Sequence, residues 1–193
     1  MRITWAETDA ERGDVQELFS HVFTGIEDNA VPLVAYDYMY APLIAQIRDD
    51  GDRLVAAAMT CRTQVAAGSV LASRQGLPDR LGVLPLIDKH SELDLLAVDD
   101  SHRGLGYGSA LLDHLESALA ARGVRAWFGN VTVNLDAVSL RMFYRRHGFT
   151  VLPDFEPLPP LLGRKWHGPN LAAPQFWFYK RPGAGPRVPV DAA

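Results

Sequence analysis

The feature that most constrains this chain is a glycine-rich turn between a candidate strand and a candidate helix. The turn reads Arg103-Gly104-Leu105-Gly106-Tyr107-Gly108-Ser109; it follows the strand-like segment Glu92–Val98 and precedes leucines at helical spacing up to Arg122. Glycines leave backbone N–H groups free to converge on one point, where a helix start has unpaired N–H groups. This order predicts an anion site that suits a phosphate.

Two familiar phosphate-binding loops do not account for this turn. The dinucleotide fingerprint G-x-G-x-x-G, counted from Gly104, requires glycine where Ser109 stands. The P-loop requires Gly-Lys followed by Ser or Thr, and that tripeptide is absent from the sequence. The turn therefore belongs to another class of anion site.

Two segments together resemble the GNAT superfamily of N-acetyltransferases. Leu96-Ala97-Val98 followed by R-x-x-G-x-G over Arg103–Gly108 is similar to the acyl-coenzyme A signature of that family. Phe143-Tyr144-Arg145-Arg146-His147-Gly148-Phe149 resembles its F/L-Y-x-x-x-G-F motif. The resemblance is strongest over 92–152. It implies an α/β GNAT fold, in which helices flank a mixed, mostly antiparallel sheet that splays between its fourth and fifth strands.

The remaining elements are expected in an order that suits this fold over 1–180. Thr8 and Glu11 form a candidate capping box, which starts a helix near Ala10–Phe23. The further expectations are a strand at Arg2–Ala6, helix near Tyr36–Arg48 around Pro42, a strand at Arg53–Arg62 with its hairpin partner in Gln64–Arg74, a loop at Gly76–Lys89, a strand at Val124–Val133, a helix at Ala137–His147 capped by Asp136, and closing strands at Phe149–Leu152 and Phe176–Lys180.

Length and composition predict one globular domain, 1–180, followed by a Pro/Gly-rich tail, 181–193. The 193 residues are 48% hydrophobic, which is enough for a core, and the net charge of −4 argues against nucleic-acid binding. A single cysteine, Cys61, excludes an internal disulfide, and no Cys/His spacing indicates a metal site. No apolar run is long enough for a membrane span, so we expect a cytoplasmic protein.

The resemblance implies acetyl-CoA or coenzyme A as the cofactor and places its contacts on this chain. The pyrophosphate would lie on the glycine turn and the pantetheine arm along the preceding strand, next to a gap before Trp127–Val131. The implied cofactor-binding residues are Leu96, Ala97, Val98, Arg103, Gly104, Leu105, Gly106, Tyr107, Gly108 and Ser109. The family often carries Asn seven residues before the motif tyrosine; Ala137 stands there, so Asn134, the nearest asparagine, is the candidate for this cofactor contact.

By the same resemblance, the acceptor amine attacks directly, and a backbone N–H near Ala97 or Val98 polarises the thioester carbonyl. Tyr144 is the candidate general acid, because a phenol can protonate a departing thiolate without being ionised at rest. Glu92 and Asp94 are the candidate general bases, and strand alternation would put both on one face. Ordered water and the flanking His90 and His102 are the alternatives for this role.

Acceptor binding is predicted in two regions. Tyr36, Tyr38 and Tyr40 lie among carboxylates, which would suit a cation by charge and by ring faces, although helix amphipathicity also explains Tyr36 and Tyr40. The long proline-rich connection Pro153–Gln175 is predicted to cover the acceptor site, because connections of this length are usually functional or disordered. The expected acceptor is therefore a small cationic amine.

The sequence thus predicts an N-acetyltransferase that acts on a primary amine of a small molecule, with general-base and tyrosine general-acid assistance. Two alternatives stay open: an acetyltransferase for peptide or protein amines, and an acyl-CoA-binding domain without turnover. Homodimers are frequent in the family, so a homodimer is compatible with this prediction. No nucleic-acid or membrane partner is expected.

Overall fold

The structure, a computed structural model, describes residues 2–133, 135–168 and 174–183. Within these residues the strands are β1 (Arg2–Trp5), β2 (Leu43–Arg48), β3 (Leu54–Cys61), β4 (His90–Val98), β5 (Ala126–Val131), β6 (Thr150–Val151) and β7 (Phe176–Lys180). The α-helices are α1 (Asp9–Val22), α2 (Asp37–Tyr40), α3 (Gln64–Arg74), α4 (Tyr107–Ala121) and α5 (Ala137–Arg146). None of the helices in the described residues is long and apolar enough to cross a membrane.

The strands form a seven-stranded sheet in the order β1-β2-β3-β4-β5-β7-β6. Every neighbouring pair is antiparallel except β4 and β5, which are parallel. The parallel contact joins only His90–Leu93 to Ala126–Gly129, so the second half of β4 is paired on one side alone. The predicted mixed sheet, with its splay between the fourth and fifth strands, is confirmed.

Helices cover both faces of the sheet, and each face has its own apolar core. On one face α4 buries the leucines predicted from its helical spacing, and α5 adds Tyr144 beside Trp127 and Phe178. On the other face α1 packs Val15 and Phe19 against β2, β3 and β4. The capping box of α1 is confirmed: the Thr8 side chain accepts from the Glu11 N–H, and the Glu11 carboxylate accepts from the Thr8 N–H.

A third core lies on the α1 face of the sheet, beyond the splay. It joins Ala66 of α3, Phe128 of β5 and Trp177 of β7 to Leu158 and Trp166 of the connection before β7. Because Trp127 lies in the core under α4, strand alternation places Phe128 on the opposite face. The described part of the connection, residues 153–168, is therefore packed against the sheet and α3.

The expected helix near Tyr36–Arg48 is wrong over most of its length. Only a short 3₁₀ turn and α2 are helical there, and Leu43–Arg48 forms the buried strand β2. Ala41 has a φ of +43° and ends α2, and Pro42 has no N–H group with which to continue it. The apolar run that follows is decided by its neighbours, since β1 and β3 pair with it on both sides.

The expected hairpin strand in Gln64–Arg74 is also wrong, because this segment is helix α3. The Thr63 side chain accepts from the Ala66 N–H and so caps the helix, and Ala66 and Ala67 are buried beneath it. The strand that pairs with β3 as a hairpin is β2, which precedes it in the chain.

Candidate active site

The glycine turn has the conformation that an anion site requires. Gly104 and Gly106 are left-handed, with φ of +78° and +83°, a region that glycine adopts without strain. Gly106 is the N-cap of α4, and the Ala110 N–H makes the first helix bond to its carbonyl, at 3.0 Å. The N–H groups of the three residues between them therefore have no helical partner. A Cβ placed on either glycine meets no atom within 4 Å, so the space beside the turn is open.

The side chains of the turn are exposed around this space. Arg103 forms a surface ion pair with Asp100 at 2.7 Å, and both side chains are mostly exposed. An exposed pair of this kind contributes little to stability, so the guanidinium is available to an anionic ligand. Leu105 is exposed at the tip, and the rings of Tyr107 and His102 stack at 6.1 Å.

The gap between β4 and β5 begins at a contact that only glycine allows. A Cβ on Gly129 would lie 2.7 Å from the carbonyl oxygen of Leu93 and 2.5 Å from the ring of Phe178. Gly129 is the last β5 residue paired with β4, and Leu93 is its partner. The parallel pairing ends at this close contact, and Leu95–Val98 of β4 pair with β3 alone.

The register of β4 shows which backbone groups face the gap. Asp99 donates its N–H to the Val55 carbonyl at 2.8 Å, and Ala97 pairs with Ala57 two positions earlier. Because antiparallel hydrogen bonding alternates along a strand, the N–H of Ala97 is directed toward β3, whereas those of Leu96 and Val98 are directed into the gap. Two N–H groups on one open edge can pair with an extended ligand.

The candidate bases lie at an irregularity of β4. The pairing register with β3 shifts between Leu93 and Leu95, so Asp94 lies in a β-bulge. As a result Leu93 packs under α4 and Leu95 packs toward α1, whereas regular strand alternation would place these two leucines on the same face. Glu92 lies directly before the bulge and pairs with Cys61.

The surroundings raise the pKa of both carboxyls. Burial, with a contribution from the Asp94 charge, raises the pKa of Glu92 to about 8. Atoms packed around the Asp94 carboxyl raise its pKa to about 6, although its side chain still reaches solvent. Burial and the same two charges raise the pKa of the Cys61 thiol, which therefore stays protonated. Both carboxyls are therefore weak acids whose pKa values lie near neutral pH.

Tyr144 is buried on the α4 face of the sheet. Its ring stacks on Phe178 at 3.7 Å and meets Phe143 and Phe149 edge-on. Burial raises the pKa of its phenol well above the usual value, so the hydroxyl keeps its proton. Tyr144 belongs to the apolar cluster against which Leu96 packs, on the strand that borders the gap.

The other predicted cofactor contacts differ in what the structure shows. Ser109, in the first turn of α4, lies with its hydroxyl 3.0 Å from Nε2 of His147. Gly108 lies close to α5 and β4, because a Cβ there would meet the Phe143 ring at 3.5 Å and Leu96 at 3.6 Å. Asn134 lies outside the described residues.

The three tyrosines predicted to bind the acceptor lie in different environments. Tyr36 is 48% exposed, whereas Tyr38 and Tyr40 are half-buried. The guanidinium of Arg74, from α3, already covers a face of the Tyr38 ring at 3.9 Å. Asp37, one of the surrounding carboxylates, is paired with Arg12 at 2.6 Å. The cationic partners in this region thus include two of the chain's own arginines.

His90 is a buried structural residue, a role that the sequence did not predict. His90 stacks on Trp166 at 3.7 Å, and its Nε2 accepts from the Thr63 N–H at 3.3 Å. Burial lowers its pKa to about 4, so the ring is neutral and too weak a base to deprotonate an ammonium. The signals that could have located it are the Thr63 helix cap and the tryptophan in a long connection.

Solved structures with the same fold align over nearly the whole chain. An acetyltransferase of the GNAT family from Staphylococcus aureus Mu50 gives a TM-score of 0.62 at 14% identity and covers 93% of this chain and 99% of its own. The ribosomal-protein-S18-alanine N-acetyltransferase of Escherichia coli gives 0.57 at 19% identity, covering 97% of each chain. An aminoglycoside 6′-N-acetyltransferase complexed with coenzyme A gives 0.56 at 17% identity, covering 94% and 97%. Identities this low show a shared fold. No curated protein sequence matches the chain significantly.

A family model matches the segment that contains the glycine turn. Residues 65–151 fit the model described as "Acetyltransferase (GNAT) domain". This segment is similar to GNAT acetyltransferase domains, and the chain as a whole has the fold of solved GNAT structures. The matched segment begins in α3 and ends with β6, so it includes β4, the turn, α4 and α5. The resemblance drawn from the two sequence motifs is confirmed.

GNAT acetyltransferases use acetyl-CoA as the acetyl donor, so the predicted enzyme class and cofactor are confirmed. The residues present fit this donor. The open left-handed turn offers unpaired N–H groups to a diphosphate, and the free edge of β4 offers N–H groups to an extended chain. In the described residues no group of three or more His, Cys, Asp or Glu side chains could hold a metal ion.

Proposed function

We propose that this GNAT enzyme transfers an acetyl group from acetyl-CoA to the primary amine of a small cationic molecule. The observation that carries the proposal is the pair Glu92 and Asp94, whose pKa values are raised to about 8 and about 6 beside the open edge of β4. A base is most effective when its pKa lies near the working pH. Two carboxyls this close along β4 also favour a cationic acceptor.

The donor would be held by the backbone of two elements. The N–H groups at the start of α4, with the Arg103 guanidinium, would bind the diphosphate, and the N–H groups of Leu96 and Val98 would pair with the pantetheine arm or the acyl oxygen. Ala97 would contribute through its place in the strand, since its N–H is directed toward β3. When bound, acetyl-CoA supplies an acetyl group activated as a thioester.

Proton movements follow from the two perturbed groups. A carboxylate oxygen of Glu92, ionised above its raised pKa, accepts a proton from the acceptor ammonium, and Asp94 stabilises that ammonium beforehand. Tyr144 keeps its phenol proton, and we infer that it donates a hydrogen bond to the departing sulfur; its raised pKa favours this hydrogen bond over complete proton transfer. Backbone N–H groups on the β4 edge stabilise negative charge on the acyl oxygen.

The walls of the cleft support a small acceptor over a protein surface. Helix α3 contacts α2, and together with residues 153–168 it encloses the α1 face of the sheet beyond Glu92. Trp166 is 1% exposed, so this connection is anchored in the folded core at that residue. Of the three tyrosines, Tyr36 offers the most exposed ring for an acceptor cation.

Thiol release from acetyl-CoA tests the proposal. The assay would use a panel of small polyamines and amino sugars, beside peptides with free N-termini or lysines, at pH 8. We expect turnover with small cationic amines, and loss of that turnover in Glu92→Gln but not in the matched surface variant Glu17→Gln. Calorimetric titration with coenzyme A measures donor binding separately.

Each other result points to a stated alternative. Turnover with peptides alone would replace the small acceptor by a peptide amine. Binding of coenzyme A without thiol release for any amine would favour an acyl-CoA-binding domain without turnover. Absence of coenzyme A binding would overturn the donor site itself.

A further inference from the structure

Three side chains on α4 and α5 form a chain of polar contacts at the glycine turn. The Ser109 hydroxyl lies 3.0 Å from Nε2 of His147, and Nδ1 of His147 lies 3.4 Å from a carboxylate oxygen of Asp113. Ser109 and Asp113 are one turn apart on α4, and His147 is the C-cap of α5. The His147 side chain is 15% exposed, and that of Asp113 is 71% exposed.

When His147 is neutral, these three side chains cannot satisfy both contacts and also leave the Ser109 hydroxyl proton free for a ligand. If Nδ1 carries the proton and faces Asp113, Nε2 is an acceptor and takes the only proton of the Ser109 hydroxyl. The serine then presents lone pairs to the anion site. If Nε2 carries the proton, the lone pair of Nδ1 faces the Asp113 carboxylate, which is unfavourable.

Protonated His147 removes the conflict. Both ring nitrogens then donate, Nδ1 toward Asp113 and Nε2 toward the Ser109 oxygen, and the serine proton is free to point at a phosphate oxygen. We propose that His147 is a positioning residue for coenzyme A, whose diphosphate selects the protonated ring and so takes up one proton from solvent on binding. This inference rests on the proposed function in one respect: the diphosphate must lie at the turn beside Ser109.

The other groups around His147 leave its charge balanced. Lys180 of β7 donates to the His147 carbonyl at 2.6 Å, and its charge is matched by Glu116 of α4, also at 2.6 Å. The ring of Phe143, one turn earlier on α5, lies 4.8 Å from the His147 ring. The positive charge of the added proton would therefore be balanced by Asp113 and by the diphosphate.

Calorimetry with coenzyme A in buffers of different ionisation enthalpy tests the proposal at pH 7. The heat measured in each buffer gives the number of protons taken up on binding. We expect uptake in the wild type to exceed that in His147→Gln, whose amide can donate to Ser109 without a proton from solvent. The 3′-phosphate of coenzyme A also titrates near this pH, and its contribution cancels in the difference.

The affinity for coenzyme A should depend on pH through the same proton uptake. For the wild type the Kd should rise with pH between pH 6 and 8 relative to the variant, by at most about tenfold per pH unit for one proton. The exposed histidine variant His21→Gln, on α1, is the matched control and should behave as the wild type. Equal proton uptake in the wild type and His147→Gln would overturn the inference while leaving the donor site intact.

A double-mutant cycle tests whether His147 acts through Ser109. In a Ser109→Ala background, we expect His147→Gln to cause less than half the change in log Kd that it causes alone. The same change in both backgrounds would show that His147 acts by charge alone, and would overturn its positioning role. Failure of the wild type to bind coenzyme A at any pH would overturn the proposed function instead.

Discussion

The two sides of the proposed catalytic cleft are built in opposite ways. The donor side, residues 92–122 with α5, takes its conformation from short-range features such as left-handed glycines, an N-cap and a free strand edge. The acceptor side, α2 and α3 with residues 153–168, depends on side chains far apart in sequence, such as His90 on Trp166 and Arg74 on Tyr38. A donor site can therefore be recognised from one segment, whereas an acceptor site requires the folded chain.

This difference predicts that folding stability and coenzyme A binding can be changed separately by substitutions on the two sides. Changes on the acceptor side should cost folding stability and acceptor affinity and spare coenzyme A binding. Changes in the glycine turn should mainly weaken coenzyme A binding and cost little folding stability. Glu92 lies where the sides meet, and its replacement should affect turnover alone.

The largest effect is expected from Glu92→Gln. Loss of a general base should lower kcat by about 10²- to 10⁴-fold, and coenzyme A affinity should stay within about twofold. In the wild type kcat/KM should rise with pH and level off above about pH 8, where Glu92 is ionised, and the variant should lack this rise. Initial rates from pH 6 to 9.5 measure both, with Glu17→Gln as control. Unchanged kcat would show that another group or water is the base.

Trp166→Ala should separate the two sides most directly. Removing a fully buried indole typically costs about 3–5 kcal/mol of unfolding free energy, and here it also exposes His90. Urea unfolding measures the loss. Coenzyme A titration at low temperature, where the variant is still folded, should give a Kd within about twofold of the wild type. A matching loss of coenzyme A affinity would contradict the separation.

His90 should make the acceptor side acid-sensitive. Its pKa is about 4 when folded, against an ordinary value of 6.5, so the folded state binds fewer protons between these values. Stability from this group is present above pH 6.5 and is lost as pH falls toward 4, by about 2 kcal/mol at pH 5. Urea unfolding of the wild type at pH 7 and 5 should show this loss when compared with His90→Gln, which does not titrate. Equal pH dependence of the two proteins would refute it.

The smallest effect is expected from Gly106→Ala. A Cβ has room there, but the left-handed conformation should cost about 1 kcal/mol of unfolding free energy. Distortion of the turn should also raise the Kd for coenzyme A, whereas Gly13→Ala in α1 should leave the Kd unchanged. A variant that binds coenzyme A normally would show that the turn tolerates another backbone conformation.

The parts predicted from the sequence are those with a local cause. The capping box of α1, the leucine face of α4 and the glycine turn could be assigned without knowledge of their neighbours. Leu43–Arg48 could not, because a short apolar run suits helix or strand until β1 and β3 flank it. The bulge at Asp94 depends on register with β3, and so its effect on the facing of Leu95 could not be read from alternation.

The contact at Gly129 also limits the depth of the gap. Five residues of β4 follow Leu93, which at about 3.3 Å each gives roughly 16 Å of open edge before the strands close. There the Leu93 carbonyl and the Phe178 ring leave no space for a Cβ on residue 129. The glycine at this position therefore sets where the open edge of β4 begins.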